Sequence, residues 1–141
     1  MVKVDTHQKR ILVVEDEPLI GSLCLRVLTA DGFQVDIATD GLAAKNMLSK
    51  QEYDLCLIDI RTRAMNGMEL YRHLEAKHTE LISAVIFTTG DLLSEDAQQF
   101  LNEVNRPFLP KPFTPHELIA VVTETLEQAD IKLPLEQTLV I

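Results

Sequence analysis

The chain has 141 residues, and its 22 acidic residues outnumber its 13 Lys and Arg to give a net charge of −9. This length suits one domain that buries a core without disulfide or metal support. A hydrophobic content of 46% excludes wholesale disorder. The acidic balance argues against a nucleic-acid partner. Because no apolar run reaches the roughly 20 residues of a membrane span and the first residues are too polar for a signal peptide, we expect a cytoplasmic protein without membrane contact.

Two cysteines, Cys24 and Cys56, lie inside apolar runs, and their spacing fits no metal site. A disulfide between them is not expected. We interpret both as buried free thiols of a protein from a reducing compartment.

Apolar runs and helical patterns alternate along the chain. The apolar runs predict five strands, at residues 11–14, 35–39, 53–60, 81–87 and 108–109. The helical patterns predict five helices, at residues 18–31, 41–49, 68–77, 95–104 and 115–128. Because parallel strands are joined by helical crossovers, this alternation predicts an α/β fold with a parallel sheet covered by helices on both faces.

Residues that begin or end helices flank these segments. Asp40 and Ser94 are suitable N-caps, Thr114 and Glu117 have the spacing of a capping box, and Asn105 is a suitable terminator. No repeat or second domain is indicated. We therefore expect one domain with two flanking segments, here an extension over 1–9, the domain over 10–128 and a disordered tail or linker remnant over 129–141.

Polar residues interrupt the apolar runs where the predicted strands end. Glu15 and Asp16 follow the first strand, Asp59 ends the third, Thr89 follows the fourth and Lys111 follows the fifth. In a sheet of this class the carboxyl ends of the strands carry the chemistry. Carboxylates gathered there repel one another unless a cation lies between them. Oxygen ligands favour Mg²⁺, Mn²⁺ or Ca²⁺ over zinc or copper.

These residue types together suit phosphoryl chemistry. Asp59 can act as a nucleophile toward phosphorus, while a divalent ion, Lys111 and the Thr89 hydroxyl stabilise the phosphoryl oxygens. Each residue alone has an ordinary structural interpretation, since an acid after a strand is commonly a helix cap and a lysine is commonly a solvated charge. For Glu15 or Glu17 alone, the cap is the favoured interpretation. Their joint occurrence at successive strand ends favours a functional site.

At this point the sequence resembles the response-regulator receiver domain of two-component signalling. The resemblance spans residues 9–128 and rests on five fragments, namely 11–18, 54–59, 65–70, 85–90 and 111–113. It implies a flavodoxin-like, doubly wound (βα)5 three-layer sandwich with strand order 2-1-3-4-5. It also implies that this domain catalyses its own modification and is not a free-standing metabolic enzyme.

The resemblance assigns a phosphoacceptor and a metal site. Asp59 matches the aspartate that takes a phosphoryl group from a phosphohistidine of a sensor histidine kinase or histidine phosphotransfer domain. Mg²⁺, or Mn²⁺ in its place, would be bound by Asp16, by Glu15 directly or through water, by Asp59 and by the backbone carbonyl of Arg61.

The resemblance also assigns a switch. Lys111 matches the lysine that bonds the acceptor and later the phosphoryl group, and its bond to Pro112 is usually cis in the family. Thr89 matches the switch hydroxyl because the small Gly90 follows it. Phe108 matches the aromatic residue that turns inward on phosphorylation. The output face would comprise the fourth helix, the fifth strand and the fifth helix, with a protein effector that the sequence does not identify.

Three departures from the family pattern concern the site. The acidic pair is Glu15-Asp16, where the family more commonly has two aspartates. Arg63 replaces the proline usually found four residues past the acceptor, and the loop from Arg61 to Arg63 is basic. The resemblance also places Arg61, two residues past the acceptor, and Asp91, two residues past the switch threonine, at the mouth of the site. We expect these side chains to pair there and to slow hydrolysis of the phosphoryl group. The alternative is that Arg61 points into solvent or contacts a partner.

Several alternatives remain open on sequence alone. The chain is either a stand-alone response regulator or the C-terminal receiver of a hybrid histidine kinase. A pseudo-receiver that is not phosphorylated and acts as an interaction module is the other functional reading. An FMN-binding flavodoxin is disfavoured because the acids after the first strand oppose phosphate. A Mg²⁺-dependent aspartyl-phosphate phosphatase is disfavoured because Glu15 and Glu17 stand where it needs aspartates.

Overall fold

The structure, a computed structural model, describes residues 9–90 and 94–139, with side chains described up to residue 131. Within these described residues, five strands alternate with five α-helices. The strands are β1 (Arg10–Val14), β2 (Gln34–Ala38), β3 (Leu55–Asp59), β4 (Val85–Thr89) and β5 (Phe108–Pro110). The helices are α1 (Pro18–Ala30), α2 (Gly41–Leu48), α3 (Gly67–Lys77), α4 (Glu95–Val104) and α5 (Pro115–Leu139). Within the described residues no helix is both long and apolar enough to cross a bilayer.

All four strand pairings are parallel, and the sheet order is β2-β1-β3-β4-β5. The predicted flavodoxin-like strand order is therefore confirmed. In this order β1 and β3 are neighbours at the centre, and β4 and β5 follow on one side. The carboxyl ends of these four strands consequently meet along one edge of the sheet.

The sheet separates two hydrophobic layers because alternate strand residues face opposite sides. On one face, side chains of α1 and α5, among them Cys24, Leu28, Leu118, Val122 and Leu126, pack against the strands. On the other face, side chains of α2, α3 and α4 do so, among them Leu48, Leu70, Leu74 and Ala97.

An aromatic cluster lies within this second layer. The Tyr71 ring centroid is 5.4 Å from that of Phe87 and 5.7 Å from that of Phe100. Phe87 belongs to β4, whereas Tyr71 and Phe100 belong to α3 and α4. The cluster therefore joins the sheet to two neighbouring helices.

The predicted helix signals act as expected. Asp40 and Ser94 accept hydrogen bonds from the backbone N–H groups of Ala43 and Ala97. Thr114 and Glu117 form the reciprocal bonds of a capping box. Left-handed backbone at Gly32 and Asn105 follows α1 and α4. A further capping box of Asn66 and Glu69, which the sequence indicated only as a turn, begins α3.

Two predicted segments are wrong in extent. Residues 79–84 form a 3₁₀ helix, so β4 is not 81–87 but Val85–Thr89. Leu81 and Ala84 are buried three positions apart, which is the period of a 3₁₀ turn and mimics an apolar strand in the sequence. The last helix does not end near residue 128, because no glycine or asparagine follows to terminate it, and α5 continues to Leu139.

Both cysteines are buried and free, as predicted. Burial raises the pKa of the Cys24 and Cys56 thiols to about 12. Because the thiolate is the reactive form, we expect neither thiol of the folded chain to react with Ellman's reagent at pH 8. Both should react at once in guanidinium chloride.

The matched control is Ser49→Cys, which places a thiol at an exposed position after α2. This variant should react with one equivalent of reagent while folded. Rapid reaction of the native chain under the same conditions would contradict the buried placement of Cys24 or Cys56.

Candidate functional site

The fold brings three of the predicted site residues into contact at the carboxyl edge of the sheet. Glu15 directly follows β1, Asp59 is the last residue of β3, and Lys111 directly follows β5. The backbone N–H of Lys111 donates to the Thr89 carbonyl at 3.1 Å, which fixes the lysine beside the end of β4. The peptide bond between Lys111 and Pro112 is cis, as the resemblance implied.

The Lys111 ammonium lies among three carboxylates. Its Nζ is 2.8 Å from Oε1 of Glu15, 2.9 Å from Oε1 of Glu17 and 2.9 Å from Oδ2 of Asp59. Glu15 and Asp59 are each only 3% exposed, whereas Glu17 lies at the surface. A single cation thus lies between two buried carboxylates, which follow β1 and end β3, and it compensates their charge only in part.

The loop after β3 fixes the other oxygen of Asp59. The Arg61 backbone N–H donates to Oδ1 of Asp59 at 3.0 Å. The Gly67 N–H donates to the carbonyl of Ile60 at 3.0 Å, so the start of α3 lies directly against the end of β3. A Cβ at Gly67 would lie 2.7 Å from the carbonyl oxygen of Asp59, and only glycine permits this approach. The Asp59 carboxylate is consequently held at both oxygens.

Burial and charge shift the pKa values of this group in opposite directions. Burial is the largest influence on Glu15 and, against the opposing effects of Lys111 and the Glu17 N–H, raises its pKa to about 7. Burial alone would lower the pKa of Lys111, but its close contacts with the carboxylates of Glu15, Glu17 and Asp59 outweigh burial and raise that pKa. Lys111 therefore stays protonated. The positive charge of Lys111 does not fully offset the cost of burying an ionised Glu15 carboxylate.

The residues fit a hard divalent cation. One carboxylate oxygen from each of Glu15, Asp16, Glu17 and Asp59 lies within 4.8 Å of the others. Oxygen donors alone favour Mg²⁺ or Mn²⁺. Moreover, Oε1 of Glu15 is fully buried and forms no hydrogen bond with the described residues, although Nζ of Lys111 lies 2.8 Å away.

The two predicted switch residues lie on the side of β4 and β5. Thr89 is fully buried as the last residue of β4, and its carbonyl anchors Lys111. Phe108 begins β5, pairs in register with Phe87 and is partly buried against the core layer that contains Phe100. Thr89 thus lies at the acidic edge, and Phe108 lies beside the aromatic cluster.

Sequence reasoning missed two residues that contact the site. Glu17 is the N-cap residue of α1, but its side chain makes no capping bond and pairs with Lys111 instead. Arg63 was noted only as a departure from the family, yet its Nε lies 3.6 Å from Oδ2 of Asp16. A three-acid run closed by Pro18 was the signal that could have indicated Glu17.

Asp91 lies outside the described residues, so its pairing with Arg61 stays a prediction.

Comparison with known proteins agrees with the fold. A family model described as the response regulator receiver domain matches residues 11–123. The transcriptional regulatory protein RprY of Bacteroides fragilis is 31% identical over 82% of this chain and 48% of that protein. The DNA-binding response regulator MtrA of Mycolicibacterium smegmatis is 30% identical over 89% of this chain and 54% of that protein. The chain spans about half the length of these curated relatives.

Solved structures give the same result. A CheY-like response regulator receiver domain protein from Methanospirillum hungatei JF-1 has a TM-score of 0.81 at 25% identity and covers 89% of this chain and 98% of that chain. NtrX from Brucella abortus, in complex with ADP, has a TM-score of 0.81 at 27% identity and covers 90% of this chain and 29% of that chain. The fold and its acidic edge thus define a CheY-like α/β domain. The chain belongs to the response regulator receiver domain family of two-component systems.

Proposed function

We propose that this domain accepts a phosphoryl group on Asp59 from a phosphohistidine of a sensor histidine kinase or histidine phosphotransfer domain. The observation that carries the proposal is the 2.9 Å contact between Asp59 and Lys111 inside a pocket shared with three other acids. An unpaired buried aspartate would destabilise the fold. Asp59 instead has a fixed orientation, the Lys111 ammonium beside it, and neighbouring carboxylates that can bind a second cation.

In the proposed reaction an oxygen of the Asp59 carboxylate bonds to phosphorus. The bond between phosphorus and the imidazole nitrogen of the donor breaks, and its electron pair leaves with that nitrogen. Lys111 shifts its ammonium from the Asp59 carboxylate toward a phosphoryl oxygen. The Arg61 N–H, 3.0 Å from Oδ1, keeps the carboxylate oriented during the transfer.

We propose that Glu15, Asp16 and Asp59, with the Arg61 carbonyl, hold Mg²⁺ or Mn²⁺. When bound, this ion supplies positive charge to the phosphoryl oxygens. Glu15 contributes a buried carboxylate whose charge Lys111 only partly compensates. Glu17 contributes a further carboxylate that keeps Lys111 protonated at the edge of the pocket.

We further propose that Thr89 and Phe108 relay phosphorylation to the face formed by α4, β5 and α5. Thr89 lies in the same strand as Phe87, and Phe87 contacts Phe100 of α4 with ring centroids 5.1 Å apart. Movement at the end of β4 can therefore reach α4 through the contact between Phe87 and Phe100. The effector that reads this face is a protein in this proposal, and direct nucleic-acid binding by this chain is not part of it.

The domain assignment and location are also proposals. We assign the receiver to residues 10–128 and treat 129–141 as an extension, part of which continues α5. Both a stand-alone regulator and the receiver of a hybrid kinase accommodate this assignment. The two unpaired buried thiols suit the cytoplasm, where cysteines are kept reduced.

Phosphorylation with a small donor tests the central proposal. With Mg²⁺ and acetyl phosphate, the native chain should gain one phosphoryl group by intact mass, and EDTA should prevent it. Asp59→Asn should gain none, because the amide that replaces the carboxylate is not a nucleophile toward phosphorus.

The matched control is Asp54→Asn, which changes the aspartate at the opposite end of β3. Asp54 accepts a hydrogen bond from the Arg10 N–H at 2.8 Å, and an amide oxygen can accept it as well. This control should be labelled like the native chain. Full labelling of Asp59→Asn would overturn the assignment of the acceptor, and an unlabelled native chain would favour the pseudo-receiver.

A further inference from the structure

An arginine of the chain itself contacts one of the proposed metal ligands. Nε of Arg63 lies 3.6 Å from Oδ2 of Asp16. The Asp16 side chain is 20% exposed at the mouth of the pocket, whereas the Arg63 side chain is 88% exposed. A largely exposed cationic side chain thus contacts a carboxylate of the site.

The backbone that carries Arg63 is anchored, although its side chain extends into water. The Arg63 carbonyl accepts a hydrogen bond from the N–H of Gly41 at 3.3 Å, at the start of α2. Two residues on, the Met65 carbonyl accepts the hydroxyl of Thr62 at 3.1 Å, and Ala64 between them adopts left-handed backbone. These bonds keep the guanidinium within reach of Asp16.

We infer that Arg63 is a tethered competitor of the divalent ion for Asp16. This inference rests on the metal site proposed above and identifies a residue that sets its affinity. A divalent ion that binds Oδ2 of Asp16 must displace the guanidinium. Because Arg63 is anchored nearby, it competes intramolecularly, and dilution does not weaken it. Arg63 thereby raises the ion concentration that is needed to fill the metal site.

The size of the effect follows from the exposure of the pair. An exposed ion pair is weak, so its loss should change ion affinity by about two- to fivefold. Because solvent-exposed charges are screened by salt, the difference should shrink as ionic strength rises.

Binding of Mn²⁺ tests the inference without any phosphoryl transfer. Free Mn²⁺ is measured by its electron paramagnetic resonance signal during titration of the native chain and Arg63→Ala. Arg63→Ala should bind with a dissociation constant two- to fivefold lower in 20 mM salt and nearly equal to the native value in 0.5 M salt. MgCl₂ should also raise the melting temperature of Arg63→Ala more than that of the native chain, because tighter ion binding stabilises the folded state more.

Two controls separate the contact from general charge. Arg26→Ala removes an exposed positive charge from α1 and should leave Mn²⁺ affinity at the native value. In an Asp16→Asn background, Arg63→Ala should no longer tighten binding. Equal affinities of the native chain and Arg63→Ala, or an equal gain in Arg26→Ala, would overturn the inference alone. Absence of Mn²⁺ binding by every protein would overturn the proposed metal site and this inference with it.

Discussion

Lys111→Met will destabilise the domain by about 3 kcal/mol at pH 7.5 in EDTA, because it leaves the buried carboxylates of Glu15 and Asp59 without their shared cation. This value is at the lower end for breaking a buried ion pair, since Glu17 can turn into water. Methionine keeps most of the volume of the lysine side chain, so the loss reports charge. Urea unfolding followed by circular dichroism measures the free energy of unfolding.

The pH dependence of this loss has a definite sign. In the native chain the pKa of Glu15 rises from 4.5 when unfolded to about 7 when folded. Its stabilising contribution is thus complete below about pH 4.5 and is lost as pH rises through 7. Without Lys111 the folded pKa rises further. The difference in free energy of unfolding between Lys111→Met and the native chain should therefore be large at pH 7.5 and small at pH 4.5.

Mg²⁺ should restore part of the stability of Lys111→Met, because it supplies the missing positive charge. The control Lys50→Met changes an exposed lysine and should stay within about 0.5 kcal/mol of the native chain. A Lys111→Met protein as stable as Lys50→Met in EDTA at pH 7.5 would contradict the role of Lys111 as counter-ion.

Gly41→Ala will cost about 3 kcal/mol of folding free energy or more, because α2 begins against the loop that follows Asp59. A Cβ at Gly41 would lie 1.8 Å from the carbonyl oxygen of Met65, so the loop or the helix must move. The same shift should stretch the bond from the Gly41 N–H to Arg63. We expect the variant to unfold at lower urea concentration and to accept phosphate more slowly.

Gly21→Ala is the matched control within α1. A Cβ at Gly21 would meet Cγ2 of Ile37 at 3.5 Å, an ordinary van der Waals distance. Alanine is also the better helix former, so this variant should gain up to about 1 kcal/mol. Similar losses in both variants would show that the contact with Met65 is not what makes Gly41→Ala costly.

The fold was largely predictable from the sequence because the core of the sheet consists of short apolar runs. Each run ends in a polar residue, and parallel strands bring those ends to one edge. These two features predict that Glu15, Asp59 and Lys111 lie together. The start of β4 was not predictable in this way, because a buried 3₁₀ turn has the same apolar residues as a strand.

The charge pairing of the site was less predictable. Glu17 and Lys111 are 94 residues apart in sequence. An acidic residue that follows a strand and precedes a proline has the sequence pattern of a helix N-cap. The contact of Arg63 with Asp16 depends on how the loop is anchored to α2, which no periodicity records. Local patterns therefore predicted that Asp59 and Lys111 lie together, and only the three-dimensional arrangement revealed the charged side chains of Glu17 and Arg63 beside them.

The aromatic cluster has a consequence for optical measurements. The chain contains two tyrosines and no tryptophan. The Tyr53 hydroxyl donates to Oδ2 of Asp36 at 2.7 Å near the start of β3, far along the strand from Asp59. Tyr71 instead touches Phe87 of β4 and Phe100 of α4. In Tyr53→Phe, tyrosine emission would come from Tyr71 alone, so the domain contains an intrinsic, label-free fluorophore at the junction of β4 and α4.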